Sequence, residues 1–345
     1  MIKKQNYLKH AIVLFLLLLL MQPERAWAAY ENVEFSSLTN HDGLTNSQVG
    51  AILKDTRGYI WFGTQSGLCR FDGFRMKTFY YINTDDKSLP NNSVDELQQD
   101  YGGNIWVHTS VGYCIYKYDE EQFERKPEEW LKNIHVQGPP YKLLIDKDKN
   151  MWIAVYGQGL YYHNAKTKNT YLFKFTKKAQ PGCLKEGNIS KITEVDGDAL
   201  ITYGDGTICR VNGQKQKALW YNSFLATHKV AGDNGAYTFY DGIGGFWVSV
   251  SNANYVYQSK TGKWTDARSY LTNMGIDIPC PTRILMRDIA RDKAGNLWVA
   301  SDHNGLFFVD FKRKICRQYV HSEAKGSIID NSLQKVYVDD EGAIW

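Results

Sequence analysis

Short runs of alternating apolar and polar residues recur along this chain, and each gives way to an aspartate, a turn and a tryptophan. Asn91 to Asp100 ("NNSVDELQQD") and Asp330 to Asp339 ("DNSLQKVYVD") have the period of two expected of a half-buried strand. The aspartate then opens a DxxGx stretch, a tight turn in which Asp bonds local backbone and Gly accepts positive φ. A second strand follows, carrying the tryptophan as its large packed residue: "IWFGT", "IWVHT" and "LWVAS". "SGLCRFD" and "NGLFFVD" predict another turn and a third strand, and Phe74 to Ile82 ("FRMKTFYYI") predicts a fourth.

Aligned on that tryptophan, the repeats centre on Trp61, Trp106, Trp152, Trp247, Trp298 and Trp345, at steps of 45, 46, 95, 51 and 47 residues. The step of 95 is a double one, because "DGDALITYGDGTICRVN" (Asp196 to Asn212) fits the frame with Leu200 in the tryptophan slot. One four-stranded unit cannot bury both faces of its sheet, so the units must stack around an axis. The expectation is an all-β chain: a seven-bladed β-propeller of four-stranded antiparallel blades, with the last blade incomplete and closed by an N-terminal strand, Val33 to Leu38. The sequence stops at Trp345 in mid-motif, and an unfinished sheet edge is a hazard, so a fragment of something longer is expected.

The N-terminus changes the compartment. Lys3, Lys4 and Lys9 precede an apolar stretch from Ala11 to Met21, and Ala26 and Ala28 offer small residues to a signal peptidase. Residues 1–28 therefore read as a signal peptide and 29–345 as the propeller, placing the mature chain outside the cytoplasm. Most of the formal charge of +4 belongs to the leader, and no basic stripe suited to nucleic acid appears elsewhere. Six cysteines in an exported chain invite a disulfide reading. Cys69 and Cys114, however, hold equivalent places in successive repeats, about 10 Å apart if the sheets stack, which is too far for a bridge. Cys183, Cys209, Cys280 and Cys316 are left open, and none has the CxxC spacing of a zinc site.

"LTNSQVGAILKDTRGYIWFGTQSGLCRFDG" and "SLPNNSVDELQQDYGGNIWVHTSVGYCIY" resemble the two-component regulator propeller repeat. The resemblance runs over residues 30 to 345. It implies the periplasmic sensor part of a Bacteroidetes-type hybrid two-component system, a homodimer in the full-length protein. There two propellers precede an immunoglobulin-like domain, a membrane helix, a histidine kinase, a receiver and a DNA-binding domain. Oligosaccharide fragments are the ligands that the resemblance implies.

Ligand contacts are expected where the loops between second and third strands emerge. These loops present Gln65, Tyr156, Gln158, Tyr203, Asp205, Asn252, Asn254, Asp302, His303 and Asn304, and such amides, carboxylates and phenols match a hydroxyl-rich ligand. Turn chemistry alone favours several of the same residue types. The tryptophans of the repeat (Trp61, Trp106, Trp152, Trp247 and Trp298) read as packing residues; Trp130, Trp220 and Trp264 fall outside the frame and are better candidates for contacts, although packing in outer strands is the favoured reading for them too. Asp146 to Asn150 ("DKDKN") imitates the start of a calcium loop but lacks its Gly and its bidentate Glu. No paired histidine spacing and no G-x-S-x-G elbow occurs, so neither catalytic residue nor metal nor cofactor is expected. A secreted propeller glycosidase or lyase and a structural scaffold are the alternatives.

Overall fold

The computed structural model describes residues 33–177, 182–224, 237–250, 253–280 and 284–345. The leader and its cleavage point lie outside the described residues. The first sheet comprises β1 (Val49–Lys54), β2 (Ile60–Thr64), β3 (Gly67–Phe71) and β4 (Met76–Phe79). The second comprises β5 (Val94–Gln99), β6 (Ile105–Thr109), β7 (Gly112–Lys117) and β8 (Gln122–Glu124). Helix α1 (Pro127–Lys132) leads into the third, β9 (Pro140–Ile145), β10 (Met151–Val155), β11 (Gly159–His163) and β12 (Thr170–Thr176). The short β13 (Leu184–Lys185) adds to the third sheet as a parallel edge strand. The fourth sheet holds β14 (Ile189–Val195), β15 (Asp198–Tyr203), β16 (Ile208–Asn212) and β17 (Lys217–Asn222). The fifth holds β18 (Tyr237–Tyr240), β19 (Gly245–Val250), β20 (Ala253–Gln258) and β21 (Lys263–Asp266), followed by α2 (Ala267–Asn273). The sixth is β22 (Leu285–Arg291), β23 (Leu297–Asp302), β24 (Leu306–Asp310) and β25 (Ile315–Tyr319). In every sheet the strands are ordered as in sequence, β13 at the edge of the third included.

The propeller therefore has six blades, not the expected seven. The heading of the seventh repeat contributes only an isolated bridge, Val338 to Ile344. Sixteen residues, 330 to 345, cannot supply the third and fourth strands that a sheet needs for its own stability. The expected closing strand, Val33 to Leu38, is also not a strand. Contacts divide the described residues into two units, one within 38–320 with 330–345 and one of 33–37 with 321–329. In the smaller unit the Phe35 N–H donates to the Gly326 carbonyl at 2.8 Å, and His321 Nδ1 lies 2.9 Å from the Ile328 carbonyl.

The six-residue spacing from aspartate to tryptophan has a physical origin. Asp100 Oδ1 accepts from the backbone N–H groups of Gly102 and Asn104 at 2.8 and 3.0 Å, while Oδ2 accepts from Trp106 Nε1 at 3.0 Å. One buried carboxylate thus closes the turn and anchors the indole of the next strand. The clasp recurs from Asp55 to Trp61 at 2.6 Å, Asp146 to Trp152 at 3.3 Å, Asp241 to Trp247 at 3.1 Å, and Asp292 to Trp298 at 3.3 Å. Even the unfinished repeat keeps it, Asp339 to Trp345, at 3.1 Å. The "DKDKN" stretch is one of these clasp turns, with Lys149 at φ 63° where sister repeats place glycine.

Between sheets, the anchored indoles form the core. Trp61 lies under Tyr116 of the second sheet at 5.2 Å, Trp106 meets Trp130 edge-on at 5.3 Å, and Trp152 packs on Tyr162 at 4.5 Å. Burying an aromatic of this size contributes on the order of 4 kcal/mol before conformational entropy is counted. Trp130 and Trp264 are packing residues too: Trp264 stacks on Phe224 at 5.5 Å and donates to Asn222 Oδ1 at 3.0 Å. The Trp220 side chain lies outside the described residues. Cys69 and Cys114 are buried thiols with no disulfide between them, in line with the expectation. No helix among the described residues is long and apolar enough to cross a membrane.

Candidate functional site

The first strand of each sheet begins beside the turn that joins the second and third strands, and at this end the sheets share an irregularity. Register shifts by one residue near the start of β1, β5, β9, β14 and β22, so that Gly50, Asp95, Tyr141, Ser190 and Arg287 are bulged. A bulge re-aims its side chain and ends regular pairing, a device common beside binding sites. Here the bulged residues engage the neighbouring second strand or the loop beyond it. Asp95 bonds His108 Nδ1 at 2.5 Å, Tyr141 stacks on Tyr156 at 4.0 Å with the rings 18° from parallel, Ser190 Oγ donates to the Thr202 carbonyl at 3.1 Å, and Arg287 pairs with Asp302. Burial alone would raise the Asp95 carboxyl, but the hydrogen bond and charge of His108, with Lys142, hold it below the usual range.

The loop residues expected from sequence separate into groups. In the third and fourth sheets, Tyr156 is 69% exposed on top of Tyr141, and Gln158 lies near it, donating to the Gln137 carbonyl at 2.9 Å and accepting from Tyr161 at 2.5 Å. The Tyr141 hydroxyl reaches toward the Ile189 N–H at 3.5 Å, linking the two sheets. Asp205 pairs with Lys185 Nζ at 3.0 Å, and that ammonium sits 6.0 Å from the Tyr203 ring. Tyr203 is buried rather than presented. Its hydroxyl lies beside Tyr221, and the Thr207 hydroxyl of the same turn lies beside Asp205.

The other expected residues lie in other sheets. Gln65 accepts from Ser93 Oγ at 2.9 Å, Asn254 donates to the Ile284 carbonyl at 2.6 Å, and Asn304 donates to Cys280 Sγ at 3.6 Å. Asn252 lies outside the described residues. Asp302 is hydrogen-bonded by Ser332, Arg287 and His303, and the first two in particular hold its carboxyl down at about 2. Tyr141, Lys185, Arg287 and Ser332 were not expected. The bulge that re-aims Tyr141 and Arg287 is a break in strict alternation, and that break was the signal available.

Ser332, His303 and Asp302 together invite comparison with a hydrolytic triad, and the geometry rejects it. Ser332 Oγ lies 3.2 Å from His303 Nδ1, the same nitrogen that Asp302 holds. A triad requires the carboxylate on one ring nitrogen and the nucleophile on the other. Among the described residues no group of His, Cys, Asp and Glu could hold a metal ion.

Below the bulges the first strands enclose a cavity of about 220 Å³, lined among others by Glu96, Lys142, Lys191, Asp288 and Lys335. Lys142 pairs with Glu96 and Lys335 with Asp288, each at 3.4 Å. Burial pushes the Lys191 ammonium below its ordinary pKa, against the pull of Asp288. Positive and negative groups are mixed here.

Comparison with known proteins agrees with this architecture. Residues 43–66 match the two component regulator propeller, so the chain carries at least one repeat of that kind. None of the curated proteins matches it in sequence. Among solved structures it is similar to the extracellular domain of a hybrid two component system, BT3049, from B. thetaiotaomicron. The two share 20% identity at a TM-score of 0.65, over 91% of this chain and 40% of that one. The extracellular domain of BT4673 of the same organism is similar at 16% identity and a TM-score of 0.57, over 91% and 42%. The WD40 propeller domain of Doa1 is similar at 10% identity and 0.55, over 91% and 93%. The chain thus spans well under half the length of the two B. thetaiotaomicron structures, and a shared propeller by itself does not assign a role.

Proposed function

We propose that this chain is a ligand-sensing propeller, an exported part of a hybrid two-component sensor, and that it recognises an oligosaccharide fragment at the bulged end of its sheets. The observation that carries this reading is the exposed Tyr156 stacked on the bulged Tyr141, with Gln158 and the Lys185–Asp205 pair nearby. A flat aromatic face beside amides and paired charges matches a sugar ring, which is apolar on its faces and hydroxyl-rich at its edge. The regulator-propeller repeat and the similarity to extracellular domains of B. thetaiotaomicron regulators support the periplasmic setting. In the longer protein a homodimer would pass the signal to a histidine kinase and a transcription regulator. Catalysis is disfavoured by the Ser332–His303–Asp302 geometry, with both partners on one nitrogen.

The test is calorimetric titration of the chain with a panel of plant, host and microbial oligosaccharides, with chromatography of the same mixtures after incubation. Saturable binding without turnover is expected. Turnover would make the chain an enzyme, and absence of both across the panel would favour a scaffold.

A further inference from the structure

The fifth and sixth sheets do not meet as the others do. Between them lies a cavity of about 380 Å³, bounded by Trp247, Val299, Phe307 and Val309 among other apolar side chains. Protein interiors pack at a density near 0.74, so a void of this size needs a cause.

Strand register supplies one. In the third sheet Trp152 pairs across the ladder with Tyr162 and Ala154 with Leu160; at the same places in the fifth, Trp247 pairs with Val256 and Ser249 with Asn254. Leu160 in turn pairs with Phe173, whereas one step beyond the Tyr255–Asp266 pair the fifth sheet offers Ala267. On the opposite wall, the second sheet sets the pair Tyr116 and Phe123 against Trp61, and the sixth has Val309 and Cys316 in those places. Both walls have lost rings that fill the equivalent space elsewhere. One change runs the other way, since Phe307 stands where the second sheet has Cys114. The void is written into the side chains.

Three polar side chains, Asn254, Asp266 and Arg268, join the apolar wall. Asn254 is bonded to the Ile284 carbonyl, Asp266 to the Ser269 N–H and Arg268 to the Cys280 carbonyl. An apolar cavity of roughly 150 Å³ in another protein stays dry and takes up benzene, and ligand pockets generally run from about 300 to 1,000 Å³. We propose that the cleft between the fifth and sixth sheets is a second binding site, one that accepts a bicyclic aromatic molecule carrying a single polar group. The site is apart from Tyr141 and Tyr156 and independent of the oligosaccharide reading.

The probe is 2-naphthol, titrated calorimetrically into the chain. Saturable one-to-one binding is expected. Cys316→Phe and Val309→Tyr, each restoring a ring found in the second sheet, should weaken it about tenfold or more by taking up the apolar contact surface, with circular dichroism confirming the fold. A second readout needs no variant: N-ethylmaleimide modification of Cys316, followed by peptide mapping, should slow several-fold when 2-naphthol is bound. The proposal is overturned if the unaltered chain shows no saturation, if folded filled variants bind as well as the original, or if Cys316 reacts at the same rate with and without the probe.

Discussion

The two ends of each sheet follow different rules. At the turn end the chemistry recurs in every described sheet but the fourth: an aspartate clasps backbone N–H and an indole, as at Asp55, Asp100, Asp241 and Asp339. At the loop end one backbone device recurs in five of the six described sheets while the side chains differ. The bulged position is Gly50, Asp95, Tyr141, Ser190 or Arg287, and the loop tips offer Gln65, Val111, Tyr156, Asp205 or His303. Within one chain, the constant end has the residues the fold requires. The variable end is where residues are free to serve recognition.

The largest expected effect lies at the constant end. Asp100→Ala removes the acceptor of the buried Trp106 indole N–H and of two part-buried backbone N–H groups, and should cost about 3 kcal/mol of stability, read by urea unfolding at neutral pH. A loss below about 1 kcal/mol would break the distinction between the ends. The fourth sheet sharpens it from within. There a two-residue turn, Asp196 and Gly197 with φ 51° and 82°, replaces the clasp, and Asp198 instead pairs with Arg210 Nε at 2.7 Å. Asp198→Ala should therefore cost less, about 1–2 kcal/mol in the same assay.

At the variable end, Tyr156→Ala should change stability by no more than about 0.5 kcal/mol, because the ring is mostly exposed. It should weaken a bound oligosaccharide by up to about tenfold through lost stacking, read by titration. The effect confined to one condition is a dependence on acid. Asp302 sits at about 2 in the folded chain and a free aspartate near 3.9, so its contribution is complete above about pH 4. It fades as pH falls toward 2 and is absent below. Asp302→Asn should flatten that part of the stability curve and leave the neutral region nearly parallel to the original.

The repeat was legible because the clasp ties aspartate and tryptophan together at a fixed spacing, and Leu200 could be placed by period alone. The blade count was not, because a heading such as Asp339–Trp345 can form its clasp with only one bridge and no sheet. The bulges escaped notice because a single re-aimed residue, such as Tyr141 in "PYKLLI", scarcely disturbs a short apolar run. Loop composition was a blunt guide. It marked Tyr156, which is exposed, and equally Tyr203, which is buried, and Asn254, whose amide is bonded to backbone and lines the second cavity.

The most direct measurement compares the affinity of one bound oligosaccharide for two double variants. Tyr141→Ala/Tyr156→Ala removes the aromatic pair at the loop end; Lys147→Ala/Lys293→Ala removes charge at the turn end. The account predicts a loss of affinity in the first and none in the second. Unchanged binding in the first with loss in the second would place recognition at the clasped end and contradict it.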